Sequence, residues 1–133
     1  MVKERNTDKS LNTRILIVED DPVNVFIIKS LFEKFKLTIE FIHAKNGSDA
    51  VDIFKKLTPD LIFMDLNLPI KDGLQASAEI RSFEGTNSHI PIIILSGERE
   101  QDLEDSNERN LIDEFVMKPL RFSKLQQIVD KYI

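Results

Sequence analysis

The sequence predicts an α/β fold: a parallel sheet covered by helices on both faces. Three observations predict it. Ile15–Val18, Leu61–Met64 and Ile92–Leu95 are short, continuous apolar runs, the pattern of strands buried on both sides. Stretches of helical periodicity fall between the runs, so strand and helix alternate along the chain. Each run also ends abruptly on a polar residue: Glu19, Asp65 and Ser96. In a parallel sheet such ends gather on one edge, where open α/β sheets bind ligands.

Composition narrows the class. At 133 residues the chain fits one domain with a real core. Cysteine is absent, so disulfides, thiolate metal sites and cysteine nucleophiles are excluded. No apolar run spans a membrane and the N-terminus carries no signal-peptide core, so a cytoplasmic location is expected. A net charge of −5 argues against direct nucleic-acid binding.

Residues 1–13 are polar and aperiodic and read as a tail, with the domain proper over 14–133. Asp21-Pro22 after the first run is a helix start, a cap carboxylate followed by proline at the first helical position. Val25, Ile28, Leu31, Phe32 and Phe35 give that helix its apolar face. Thr38–His43 is a second strand, and Asn46-Gly47 turns the chain into a helix bearing Ala50, Val51, Phe54 and Leu57. Pro59 ends it, and the central run follows. Asp72 caps a helix with Leu74, Ala76, Ile80 and Phe83. After the fourth strand, Glu98–Asn110 has Leu103 as its one large apolar residue, and six acids to two arginines; it is expected to be a weakly anchored helix. Phe115–Met117 is a last short strand leading to Lys118-Pro119. The final helix follows, with Phe122, Leu125, Val129 and Tyr132 on one face. His43 and His89 have no metal-ligand spacing and read as ordinary surface or strand residues.

The strand ends define a candidate site: Glu19 and Asp20, Asp65, Ser96 and Lys118. Three carboxylates in a shallow pocket suit a hard divalent cation, Mg²⁺ above all. An ammonium and a hydroxyl beside such a cation can surround a phosphoryl group and spread its charge. Asp65 is then the natural nucleophile, because a carboxylate can be converted to an aspartyl phosphate.

The motifs ILIVEDDPVN (15–24), AKNGSDAV (44–51), DLIFMDLNLPIKDG (60–73), IPIIILSG (90–97) and DEFVMKP (113–119) closely resemble the receiver domains of two-component response regulators and hybrid sensor kinases. The resemblance implies a flavodoxin-like (βα)5 three-layer sandwich with strand order 2-1-3-4-5. It implies a phospho-acceptor signalling domain of a phosphorelay rather than an enzyme, with only weak self-phosphotransfer and autophosphatase activity. Asp65 matches the phosphorylated aspartate. Asp20 matches the direct Mg²⁺ ligand, Glu19 the acid acting through water, and Asn67 the backbone carbonyl that completes the metal shell. Ser96 matches the switch hydroxyl, Lys118 the phosphoryl-contacting lysine, and Phe115 the aromatic that swings inward on activation. Asn67 and Glu98 match the pair that tunes dephosphorylation, here implying a short-lived signal. The phosphoryl donor is expected to be a sensor histidine kinase or histidine phosphotransfer domain. Output is expected through the face formed by the segment 98–110, the last strand and the last helix, toward a downstream protein. The chain is expected to be a stand-alone receiver, a relay intermediate or a piece of a longer protein.

Departures from the family pattern are Ser96 for threonine, Gly97 for alanine, Phe115 for tyrosine, and Asn110-Leu111-Ile112 before Asp113 where a glycine is usual. A haloacid-dehalogenase-type hydrolase would need a second aspartate where Asn67 stands. A receiver-like module without the chemistry is disfavoured by the intact set of Asp20, Asp65, Ser96 and Lys118.

Overall fold

The computed structural model of the chain describes residues 13–85, 89–97 and 110–133. Five strands, β1 (Thr13–Val18), β2 (Ile39–Ala44), β3 (Leu61–Asp65), β4 (Ile92–Ser96) and β5 (Glu114–Met117), form one parallel sheet. Their order is 2-1-3-4-5, as expected. Among the described residues there are four helices, α1 (Pro22–Phe32), α2 (Gly47–Leu57), α3 (Gly73–Phe83) and α4 (Phe122–Tyr132). The segment expected to form a further helix lies outside the described residues except for Asn110.

The strand alternation splits the core in two. Ile15, Ile17, Phe63, Ile93 and Leu95 pack on one face with α1 and α4. Leu16, Val18, Ile62, Met64 and Ile94 pack on the other with α2 and α3. Residues on both faces of the central strands are buried, which is why those strands are continuous apolar runs. On the first face Phe32 is edge-on to Phe41 and Phe63, with ring centroids 5.7 and 5.9 Å away.

The helix starts follow their caps. Asp21 accepts from the Val23 N–H, and Asn46 from the Asp49 N–H. Asp72 and Gln75 form a reciprocal capping box. Three expectations need correction. Thr13, assigned to the tail, is buried and opens β1, its N–H donating to Thr38 O at 3.0 Å. Leu57 and Phe83, placed on core faces by period, are exposed. Both lie in the last turn of their helices, where the helical period outlasts the packing. The Phe83 ring instead sits under the Lys55 ammonium, 4.1 Å from its centroid, beside a cavity of about 290 Å³.

The amino edge of the sheet is tied by Arg81, a residue that no motif or period singles out. Its guanidinium donates to Leu111 O (2.9 Å), Ile90 O (2.9 Å), Glu84 Oε2 (2.8 Å) and Asp113 Oδ2 (2.9 Å). Asp113 also accepts from the Ile92 N–H and faces His89 Nε2, each at 2.8 Å. One planar fork thus joins the end of α3 to the loops before β4 and β5, a geometry lysine does not reproduce. Arg81→Met leaves the largely buried Glu84 carboxylate without its cation. It is expected to lower unfolding stability by about 3 kcal/mol, read by urea denaturation.

A second cluster fastens α4 to β5. Glu114 accepts from Tyr132 OH (3.0 Å) and pairs with Lys131 (3.3 Å) and Lys124 (3.4 Å). Burial works to raise the Glu114 pKa, but the hydroxyl and the two ammoniums outweigh it and hold it below the ordinary 4.5. A depressed carboxylate stabilises the fold above its unfolded pKa and loses that contribution as pH falls through the folded value. Glu114→Gln should therefore be about 1 kcal/mol less stable at neutral pH. The gap to wild type should close as pH falls below 4.5, read by denaturant melts across pH.

Candidate functional site

Four strand ends build the site at the carboxyl edge. β1 delivers Glu19 and Asp20, and β3 ends on Asp65. Oxygens of these three carboxylates lie within 4.8 Å of one another. β4 ends on the fully buried Ser96, whose carbonyl accepts from the Lys118 N–H at 2.7 Å. Lys118 follows β5 and precedes a cis peptide to Pro119. Its Nζ lies 3.2 Å from Glu19 Oε1 and 3.3 Å from Asp65 Oδ2. The structure thus brings together Glu19, Asp20, Asp65 and Lys118, with Ser96 joined to Lys118 through the backbone.

The loop after Asp65 folds back onto it. The Asn67 N–H donates to Asp65 Oδ1 at 3.2 Å, and the Gly73 N–H to Leu66 O at 2.9 Å. A Cβ on Gly73 would sit 2.4 Å from Asp65 O, so only glycine lets α3 start this close to Asp65. Gly97 needs no such licence, because a Cβ there meets nothing within 4 Å and the family's usual alanine would fit. Phe115, half-buried, packs against the α2–α3 side of the core. Glu98 lies outside the described residues.

The electrostatics are those of an acid cluster short of positive charge. Burial raises the Glu19 pKa, and the Asp65 charge adds to the rise; Lys118 opposes both without cancelling them. Burial also works against the Lys118 ammonium, but Asp65 and Glu19 outweigh it and lift its pKa above 10.5. Glu19 is 2% exposed, and its Oε1, although 3.2 Å from the Lys118 ammonium, has no partner in hydrogen-bond geometry among the described residues. A buried oxygen left so, among three carboxylates and one ammonium, fits a hard divalent cation with oxygen ligands.

One contact was not legible in the residue types. His43, on β2, places Nε2 2.8 Å from Glu19 O. A side-chain bond to a backbone carbonyl leaves no motif. The only available signal was that the end of β2 lies beside the acid-bearing end of β1.

The family model of the response regulator receiver domain matches residues 15–130, and the chain belongs to that family. It is 38% identical over 123 residues to hybrid signal transduction histidine kinase F of Dictyostelium discoideum. That match takes in 90% of the chain but 11% of the kinase. Its fold matches the receiver domain of the sensor histidine kinase PA1611 from Pseudomonas aeruginosa, solved with a magnesium ion in the active site cleft. That match has a TM-score of 0.73 and 29% identity and covers 91% and 97% of the two chains. It also matches a co-crystal structure of the Saccharomyces cerevisiae histidine phosphotransfer protein Ypd1 with the receiver domain of Ssk1. There the TM-score is 0.74 and the identity 30%, over 91% and 88% of the chains. No described helix is long and apolar enough to cross a membrane.

Proposed function

We propose that this receiver domain accepts a phosphoryl group on Asp65 from a phosphohistidine of a partner protein and uses it as a signal. The observation that carries the reading is the Asp65 carboxylate, 3.3 Å from the Lys118 ammonium and grouped with Glu19 and Asp20. A carboxylate oxygen of Asp65 attacks phosphorus as the phosphorus–nitrogen bond breaks. The bonding pair leaves on the imidazole nitrogen, which takes up a proton. Lys118 meets the charge on the phosphoryl oxygens. Asp20, Asp65, Glu19 and the Asn67 carbonyl would hold Mg²⁺, which when bound supplies further neutralisation of those oxygens. The Ser96 hydroxyl would donate to the new phosphoryl group, with Phe115 following it. The output surface is then the one that takes in β5 and α4. Asn67 and Glu98 would tune the hydrolysis of the aspartyl phosphate toward a short-lived signal. The reading carries a cytoplasmic location with it.

The test is incubation with acetyl phosphate and Mg²⁺, followed by mass spectrometry of the peptides. One phosphoryl group is expected on Asp65, with none in EDTA. Label on another residue would overturn the reading.

The partner's docking surface is supported by α1. Its inner residues Val25, Ile28 and Phe32 are buried, yet Val23 and Phe26 on its outer side are 61% and 70% exposed. Ile70, in the loop after Asp65, is 81% exposed and held at φ 69°, a strained setting for a β-branched residue. Apolar side chains beside a charged acceptor suit a phosphohistidine protein that seats before transfer. Phe26→Asp should slow labelling by a charged histidine phosphotransfer protein by about tenfold, a loss typical of one interface anchor. Labelling by acetyl phosphate should not change; both are read by quenched time courses.

A further inference from the structure

We propose that His43 is a positioning residue for the metal-binding acids, a reading that rests on the site described above. At the end of β1 the Glu19 N–H still donates to Ala44 O at 3.0 Å. The β1–β2 register ends at Val18 and Ala44, and at Asn46 the chain turns into α2. Glu19 O therefore has no ladder partner on β2, and His43 Nε2 takes that place at 2.8 Å. A carbonyl only accepts, so Nε2 carries the hydrogen, in the neutral tautomer or the imidazolium alike. The bond does not depend on a charge change.

Its consequence falls on Asp20. The Glu19 carbonyl belongs to the peptide that joins Glu19 to Asp20. Fixing that plane fixes the position of the Asp20 Cα and the bond about which its side chain swings. Asp20 is exposed, and among the described residues no hydrogen bond or ion pair holds its carboxylate. Its aim is thus set by the backbone, and the backbone is held by β2 from both sides of Glu19. Metal ligands must sit within about 0.2 Å of their proper distance, so a loosened peptide weakens binding without unfolding anything. Outer supports of metal ligands have effects of about 10- to 100-fold on affinity.

The test compares two near-isosteres in the full chain. His43→Gln keeps an N–H donor at the reach of Nε2, and His43→Met keeps the length without a donor. Affinity for MgCl₂ is measured by isothermal titration calorimetry, with Asp20→Asn as the control and melting in EDTA as the check on folding. His43→Met should bind Mg²⁺ about tenfold more weakly. His43→Gln should stay within about twofold of wild type, and at saturating Mg²⁺ both should label at the wild-type rate. If His43→Met binds as wild type does, or if both variants weaken equally, the positioning assignment is overturned. If instead wild type and Asp20→Asn bind Mg²⁺ alike, the metal site itself fails, which is a separate result.

Discussion

Asp65→Asn is expected to take up no phosphoryl label from acetyl phosphate or from a phosphohistidine donor, while its fold should become more stable in EDTA. The two effects have one cause. Asp65 is buried at the end of β3, with oxygens of Glu19 and Asp20 within 4.8 Å. Burial raises the Glu19 pKa and the Asp65 charge adds to the rise, so the folded state opposes the ionised form of Glu19. A raised carboxyl stabilises the fold below its unfolded pKa, and that contribution is lost as pH rises through the folded value. Wild type is therefore under strain at neutral pH, and an amide at position 65 relieves it by about 1 kcal/mol. Saturating Mg²⁺ should reverse the order, because a cation bound only by the native state stabilises wild type more than the variant. Thermal melts with and without Mg²⁺ read the stability, and mass spectrometry reads the label. Full labelling of Asp65→Asn would remove Asp65 from the chemistry, and an EDTA melt below wild type would remove the repulsion argument.

Lys118→Met should separate metal binding from transfer. Lys118 stands 3.2 Å from Glu19 and 3.3 Å from Asp65 and, in the function proposed above, would be the ammonium that meets the incoming phosphoryl group. Losing a fixed cation of this kind typically lowers a transfer rate by about 10²-fold. Yet the ammonium and Mg²⁺ draw on the same carboxylates. Without the lysine, Mg²⁺ affinity should rise about threefold, since the acids have lost a competitor. In EDTA the variant should be about 2 kcal/mol less stable, because Glu19 and Asp65 are left buried with no counter-charge. Calorimetry and labelling kinetics on one preparation decide it. A fall in Mg²⁺ affinity would show that the lysine organises the acids rather than competing for them.

Much of this was legible in the sequence, for reasons tied to particular residues. β1, β3 and β4 are buried on both faces, so Ile15–Val18, Leu61–Met64 and Ile92–Leu95 had to be continuous apolar runs. Edge strands β2 and β5 are half covered, and the β2 boundaries moved by one residue. The site was readable because a parallel sheet sends every strand end to one side, so Glu19, Asp20, Asp65, Ser96 and Lys118 had to meet there. Arg81 escaped notice because Ile90, Leu111 and Asp113 lie 9 to 32 residues away and follow no period. Phe83 misled because helical spacing says which way a side chain points, not whether anything is there to cover it. Three helices carry side-chain caps that the local sequence dictates, whereas α4 starts at Arg121 without one and was placed by its apolar face alone.

The absence of a side chain at Gly73 has a mechanical consequence. The first turn of α3 rests against the main chain of Asp65 with no room between them, so this bank of the cleft moves with Asp65 or not at all. Gly97, which follows β4, is not so confined: among the described residues a Cβ there would meet nothing within 4 Å. The cleft thus has one bank locked to the Asp65 backbone and one that is not.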